Sequence, residues 1–442
     1  MRRDTIKRLA EYFSSTLFKS PLLFMKNTLL KLLLCTPLVA NVAHAADWPQ
    51  YRGPAGTGVC TEQLQWKPAG LKSVWKVASD GGFSSFAVAD GRAFTLSLKE
   101  IDGASQEVLV AHNAASGAEL WSVALQVAKY DKGGNDGTAE NKGGDGPRST
   151  PAIVGKTVVV LSSELALRCF DAATGKEVWT LDLKAQHGGR NIQWQNAASP
   201  LLEGGLIYLA GGGAGESLLA VNPADGKVVW KAFDEKMTHA TPVAATILGQ
   251  RQVIFFLQSG LLAVEPKTGK ELWRYAFPYK VSTAASPVVG GDIVYCSAGY
   301  GVGAGAVKLT KEGGEFKATE IFRVPGNTPL ANHWSTPVLK DGFMYGMFQF
   351  KEYGKGPVKC VELATGDVKW TKEGFGPGHV ILMGNDVVAL SDAGEIVRFA
   401  ASPSEYKELG RQKVLDGKCW TTPSVSGGRL FVRSTKEASC LE

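Results

Sequence analysis

The chain has 442 residues, 44% of them apolar and 20% charged, with 52 glycines. This composition excludes a disordered chain and a collagen-like repeat, and the lack of a spanning-length apolar run beyond the N-terminal region excludes a multi-pass membrane protein. The formal charge of +6 is concentrated in residues 1–45, which hold seven Lys/Arg and two Asp/Glu, so the rest is nearly neutral and there is no chain-wide case for nucleic-acid binding.

Residues 25–45, MKNTLLKLLLCTPLVANVAHA, read as a secretory signal peptide. Lys26 and Lys31 flank the start of an apolar stretch, and Ala43-His44-Ala45 supplies the small-x-small pattern for cleavage before Ala46. Met25 reads as the true start, and residues 1–45 as leader. The rival reading is a lipid anchor on Cys35. Against it, Leu34 stands where a small residue is needed, and the apolar run continues past the cysteine. The expected location is the periplasm or the exterior.

Six cysteines follow the leader: Cys60, Cys169, Cys296, Cys360, Cys419 and Cys440. An even count outside the cytoplasm allows disulfides, and the absence of CxxC argues against zinc. Burial as free thiols is the preferred reading. Residues 46–70, beginning DWPQYRGPAGTGV at 47–59, form a turn-rich segment expected to pack across the outside of the fold.

From residue 71 to 442 one phrase recurs at a period of about 45 residues. A Ser/Thr-Pro opens an apolar stretch, a Gly turn and a second apolar stretch. A third stretch, a Thr-Gly-Lys-like turn and a Trp then close the copy. Thr150-Pro151 leads to Trp179, Ser199-Pro200 to Trp230, Thr241-Pro242 to Trp273, and Thr336-Pro337 to Trp370. Ser286-Pro287 leads to a degenerate end near Phe322, and Thr422-Pro423 opens a last copy that stops at Glu442. Two further copies lack the Pro: Phe86 takes its slot in the one ending at Trp121, and His379 in another. Segments such as Thr157–Leu161 and Ile293–Cys296 are short, apolar and bounded by Gly or Asp, and no helical period is sustained. The pattern predicts an all-β fold, an eight-bladed β-propeller with four antiparallel strands per blade. The last copy lacks a Trp-bearing strand, and LKSVWKV at 71–77, with Trp75, matches it. The N-terminal strand is therefore expected to complete the last blade and close the ring.

The repeat tails CFDAATGKEVW (169–179), AVNPADGKVVW (220–230), AVEPKTGKELW (263–273), CVELATGDVKW (360–370) and AHNAASGAELW (111–121) resemble the tryptophan-docking motif of the quinoprotein propellers. That family includes the pyrroloquinoline-quinone (PQQ) dehydrogenases and their relatives. The resemblance covers about residues 71–442 and implies structural roles for Trp75, Trp121, Trp179, Trp230, Trp273 and Trp370. The segment at 47–59 resembles the start of secreted PQQ-repeat proteins.

The quinone enzymes resembled here use a vicinal disulfide, a Trp floor and a Glu/Asn/Asp set around calcium. This chain has no Cys-Cys pair and no CxxCH, so PQQ with calcium is carried only as the alternative. In size the chain resembles the propeller subunit of the outer-membrane β-barrel assembly machine, a lipoprotein scaffold. No GxSxG or HExxH supports a hydrolase. The preferred reading is a non-catalytic binding or scaffold propeller, expected to be a monomer, with a protein or small-molecule partner.

In a propeller, residues just before each innermost strand ring one mouth of the channel. Those slots hold Arg148, Asn196, His239, Thr283, His333, Trp334, His379 and Trp420. The longer loop before blade three adds His187, Arg190 and Trp194. Stacking faces and imidazole donors there suit a planar or anionic ligand. No metal set is assigned, since the histidines come from separate blades. The insertion at 130–147 carries Asp and Asn but not in EF-hand spacing, and reads as a flexible lid or plain disorder.

Overall fold

The computed structural model describes residues 47–442 except 63, 65, 67–69, 129–145, 280–282, 328 and 349–355. The leader and residues 130–145 of the predicted insertion lie outside the described residues. Eight antiparallel sheets follow one another along the chain, each starting with its innermost strand. Blade one runs from Ala87–Ala89 to Glu119–Val127, blade two from Ala152–Val154 to Glu177–Asp182, and blade three from Leu201–Glu203 to Val228–Ala232. Blades four to seven begin at Val243–Ile247, Val288–Gly290, Val338–Lys340 and His379–Met383. Blade eight has three strands from the C-terminus, and its fourth is Ser73–Ala78, paired antiparallel with Glu437–Leu441. The protein is thus an eight-bladed β-propeller, closed as the sequence predicts. No helix among the described residues is long and apolar enough to cross a membrane.

The docking tryptophans act between blades. The indole N–H of Trp75 donates to Ala114 O (2.9 Å), that of Trp179 to Pro223 O (2.9 Å) and that of Trp230 to Pro266 O (2.7 Å). Each acceptor belongs to the turn of the following blade. The ring lies on that turn's glycine: a Cβ on Gly117 would come 2.7 Å from Trp75, and one on Gly226 2.6 Å from Trp179. These glycines also hold φ of +75° and +71°. The Gly of one repeat and the Trp of the preceding one are therefore a single packing unit.

The same register explains three cysteines. The residue facing each docking Trp across the strand pair is Ala111, Cys169, Ala220, Ala263, Cys360 or Cys440. A small side chain is required under the indole, and cysteine meets that need as alanine does. All six cysteines among the described residues are buried free thiols.

Three blades depart from the rule. In blade four the Trp273 indole donates to Gln252 Oε1 of its own blade (2.6 Å). Blade five uses Phe322, packed against Gly366 of blade six. Blade seven has Gly410 at the Trp position, facing Arg398. Trp66 of the N-terminal segment fills that space, since a Cβ on Gly410 would meet its Nε1 at 2.8 Å. The missing ring is supplied from elsewhere in the chain.

Residues 47–60 do not lie on the outside of the first or last blade, which corrects the expectation. Trp48 bridges to Val88 of blade one, and Pro49 O accepts from Ile153 N of blade two (2.7 Å). Gln50 Oε1 accepts from Leu202 N of blade three (2.7 Å). Val59–Cys60 pairs in parallel with Leu382–Met383 on the inner side of blade seven, and so stands in the channel. At the axis lies Arg52, 2% exposed, whose guanidinium donates to the carbonyls of Thr57 (2.7 Å), Thr336 (2.9 Å) and Pro337 (2.9 Å). Burial lowers its pKa to about 10, which leaves it charged at neutral pH. Gly/Pro turn chemistry is legible in this segment; its route is not, because an arginine in a turn-rich stretch normally faces water.

Candidate functional site

The Ser/Thr of each Ser/Thr-Pro forms part of a belt around the channel. Ser85 N donates to Thr150 Oγ1 (3.2 Å), Thr150 N to Ser199 Oγ (2.9 Å) and Ser199 N to Thr241 Oγ1 (2.9 Å). Ser286 N donates to Thr336 Oγ1 (2.9 Å), and Thr422 N to Ser85 Oγ (2.8 Å). Neighbouring blades thus satisfy one another's amides where the strands converge and an orphaned N–H would be costly. In blade seven His379 occupies the slot, with Nδ1 3.1 Å from Thr422 Oγ1.

Above the belt, rings from five connections and one turn within a blade form a continuous arc. Phe83 lies 4.8 Å from Trp420, which lies 4.9 Å from Trp334 (centroid distances). His333 follows at 4.8 Å from Trp334, and Tyr300 at 4.9 Å from His333. Trp194 is stacked with Tyr300 at 6.0 Å and 13°, and contacts His239 at 6.4 Å. Arg148 donates to Trp194 O (2.9 Å), and the Lys418 ammonium lies 5.1 Å over the Trp420 ring. Two positive side chains therefore flank the arc. Phe83, Tyr300 and Lys418 escaped the sequence reading. Phe83 and Lys418 precede inner strands without marking themselves as slots, and Tyr300 sits in a turn within blade five.

The predicted mouth residues divide. Trp194, His239, His333, Trp334 and Trp420 join the arc, with Arg148 beside it. Asn196 is 1% exposed and bonds Ser162 O (3.3 Å) and Ala198 O (3.0 Å), so it shapes the wall. Thr283 is likewise bonded inward, to Ser297 O (3.1 Å) and His333 O (3.0 Å). His379 belongs to the belt. His187 and Arg190 line a different cleft, over blade three, that shares no residue with the arc.

Burial first, then the Arg148 charge, pushes the pKa of His239 down to about 3. Burial and then Arg52 do the same for His379. Both rings are therefore neutral near pH 7 and offer hydrogen bonds rather than charge.

Glu107 is a buried carboxyl in blade one. It accepts from Ser163 Oγ (2.6 Å) and Ser163 N (3.1 Å) of blade two and from Gln126 Nε2 (3.0 Å). Burial dominates these bonds and raises its pKa to about 7. A carboxyl with a raised folded-state pKa gives stability that is complete below its unfolded pKa and is lost as pH rises toward 7. Glu107→Gln is therefore expected to gain roughly 2 kcal/mol relative to the parent between pH 5 and pH 8. Urea unfolding of both proteins at the two pH values measures this; parallel stabilities would sink it.

The family profile described as outer membrane protein assembly factor BamB matches residues 104–372, from blade one through blade six. The chain belongs to this family. A BamB from Bordetella pertussis is 28% identical over 181 residues, 40% of this chain and 42% of that protein, so the alignment spans under half its length. A BamB from Shewanella oneidensis is 24% identical over 298 residues, 64% of this chain and 71% of that protein. The crystal structure of BamB from Moraxella catarrhalis matches with a TM-score of 0.56 at 15% identity, covering 84% of this chain and 97% of that one. Quinohemoprotein alcohol dehydrogenase from Comamonas testosteroni shares the fold, with a TM-score of 0.61 at 14% identity over 91% of this chain and 81% of that one.

The quinone that the dehydrogenase fold implies does not fit the residues present. The cysteines are scattered over separate elements, so no vicinal disulfide can form. Among the described residues no three His, Cys, Asp or Glu converge to hold a metal.

Proposed function

We propose that this protein is an exported, non-catalytic scaffold of outer-membrane protein assembly, working on the periplasmic side and docking a partner at the mouth. The observation that carries this reading is the asymmetry of the channel. The far side is crossed by residues 48–60, while the mouth carries seven rings in contact. Aromatic clusters on the loops of a rigid scaffold are the usual anchors of protein recognition. Membership of the BamB family supports a partner from the assembly machinery.

Trp334 and His333 are poor sites for the test, because the Trp334 indole also donates to Pro377 O (2.9 Å). Tyr300 is better: it is 36% exposed. A photoreactive side chain at position 300 should crosslink to a component of the assembly machine in intact cells. The same group at Ser116, in an exposed turn at the other end of blade one, should not. Crosslinks from 116 alone, or assembly complexes that lack this chain altogether, overturn the proposal. After incubation with PQQ and calcium, no reduction of an artificial dye by alcohols or sugars is expected beyond a heat-killed control; clear turnover favours the dehydrogenase reading instead.

A further inference from the structure

The cleft over blade three is built, and the mouth does not use it. It has a volume of about 710 Å³, inside the usual range for small-molecule sites. Its frame starts with a short helix, Leu183–His187, capped by Asp182, whose side chain accepts from Lys184 N (2.9 Å) and Ala185 N (3.0 Å). The helix ends at Gly188 with φ +60°, and the chain then runs against the glycine turn at 211–213 of blade three. The contact is backbone on backbone. A Cβ on Gly189 would stand 2.6 Å from Gly211 O, and one on Gly213 2.6 Å from Gly188 O. The Gly-Gly-Gly run thus has a purpose: it lets two turns touch and fixes His187 over the cleft.

His187 Nδ1 lies 2.7 Å from Glu216 Oε2, and Lys231 bonds the other carboxylate oxygen. Hydrogen bonds from Lys231 first, and then His187, hold Glu216 below the usual carboxylate range. With Nδ1 bonded to the carboxylate, Nε2 of the ring is left without a hydrogen-bond partner among the described residues. The lining carries both signs. Arg190 and Lys236 stand with Asp234, while Glu216 and Glu235 are already met by Lys231 and Arg274, so the excess is a single positive charge. Gln186 and Asn191 add donors and acceptors, and Ile192 and Met237 add an apolar patch.

A neutral ligand whose every polar group both donates and accepts matches this lining, with a C–H face for the apolar patch. The geometry points to a saccharide site, one that takes a short neutral glycan segment independently of the mouth. Calorimetric titration of the full-length protein with maltotriose and with tri-N-acetylchitotriose is the test, with inorganic phosphate as the anionic control. Saturable binding of at least one trisaccharide is expected, weakened about tenfold in His187→Ala and in Arg190→Ala, the worth of one hydrogen bond to a fixed polar group. Tyr300→Ala should bind as the parent does, which separates this site from the mouth. Arg190 is exposed and in no ion pair among the described residues, so its variant reads the site even if the His187 change perturbs folding. Three results overturn the inference: no saturable binding of either sugar, parent-like affinity in both cleft variants, or phosphate binding in place of sugar.

Discussion

Deleting residues 47–78 should abolish cooperative unfolding. The deletion removes the outer strand of blade eight, and with it Trp75, which packs on blade one and donates to Ala114 O. Loss of a buried Trp alone costs about 3–5 kcal/mol. The deletion also exposes the full edge of Glu437–Leu441, an aggregation template, and takes Trp66 from the gap over Gly410. Finally it strips the channel of Arg52 and of the bonds from Trp48, Pro49 and Gln50 to blades one, two and three. These losses together exceed the whole stability of an ordinary domain, about 5–15 kcal/mol. Differential scanning calorimetry should show a broad transition or none, and size-exclusion chromatography should show aggregates. A truncated chain that melts as sharply as the full one would falsify the closure argument.

Arg52→Ala should destabilise the fold by about 3 kcal/mol or more, a large effect for one side chain. Removing the guanidinium leaves the buried carbonyls of Thr336 and Pro337 without their donor, at about 1–3 kcal/mol for each, and frees the partly buried carbonyl of Thr57 as well. Arg52→Met should do less harm to packing but no better for the carbonyls, since it fills the volume and offers no donor. Urea unfolding should rank parent, Met and Ala in that order. If Arg52→Met matched the parent, the carbonyls would be satisfied some other way and the arginine would be mere filler.

Most of the fold was legible because the repeat writes the same physics eight times. Turn glycine and docking Trp stand four residues apart in five copies and a Ser/Thr-Pro opens six, which was enough to place the degenerate copies at Phe322 and His379. What repeats could be read; what occurs once could not. The path of residues 47–60 through the channel depends on Arg52 finding three carbonyls that lie 5 to 285 positions away. Trp66 could not be matched to Gly410 because nothing local to blade seven announces the missing ring. For the mouth, position relative to the inner strand picked out most of the arc. It also swept in Asn196, Thr283 and His379, whose polar groups bond into the wall. Spacing locates a Cα; it does not say whether the side chain turns to solvent or to its own backbone.

The docking strand at 73–78 has a consequence in time. Ser439 Oγ donates to Trp75 O across 364 positions of sequence (3.0 Å). During synthesis this strand emerges more than 350 residues before its partner at 437–441. Blades one to seven can assemble in order as they appear, each lending its turn to the ring before it. The first strand must wait, with one edge unpaired and an indole unhoused, until residues 437–441 are made. A chain that lacks residues 438–442 is left permanently in that waiting state.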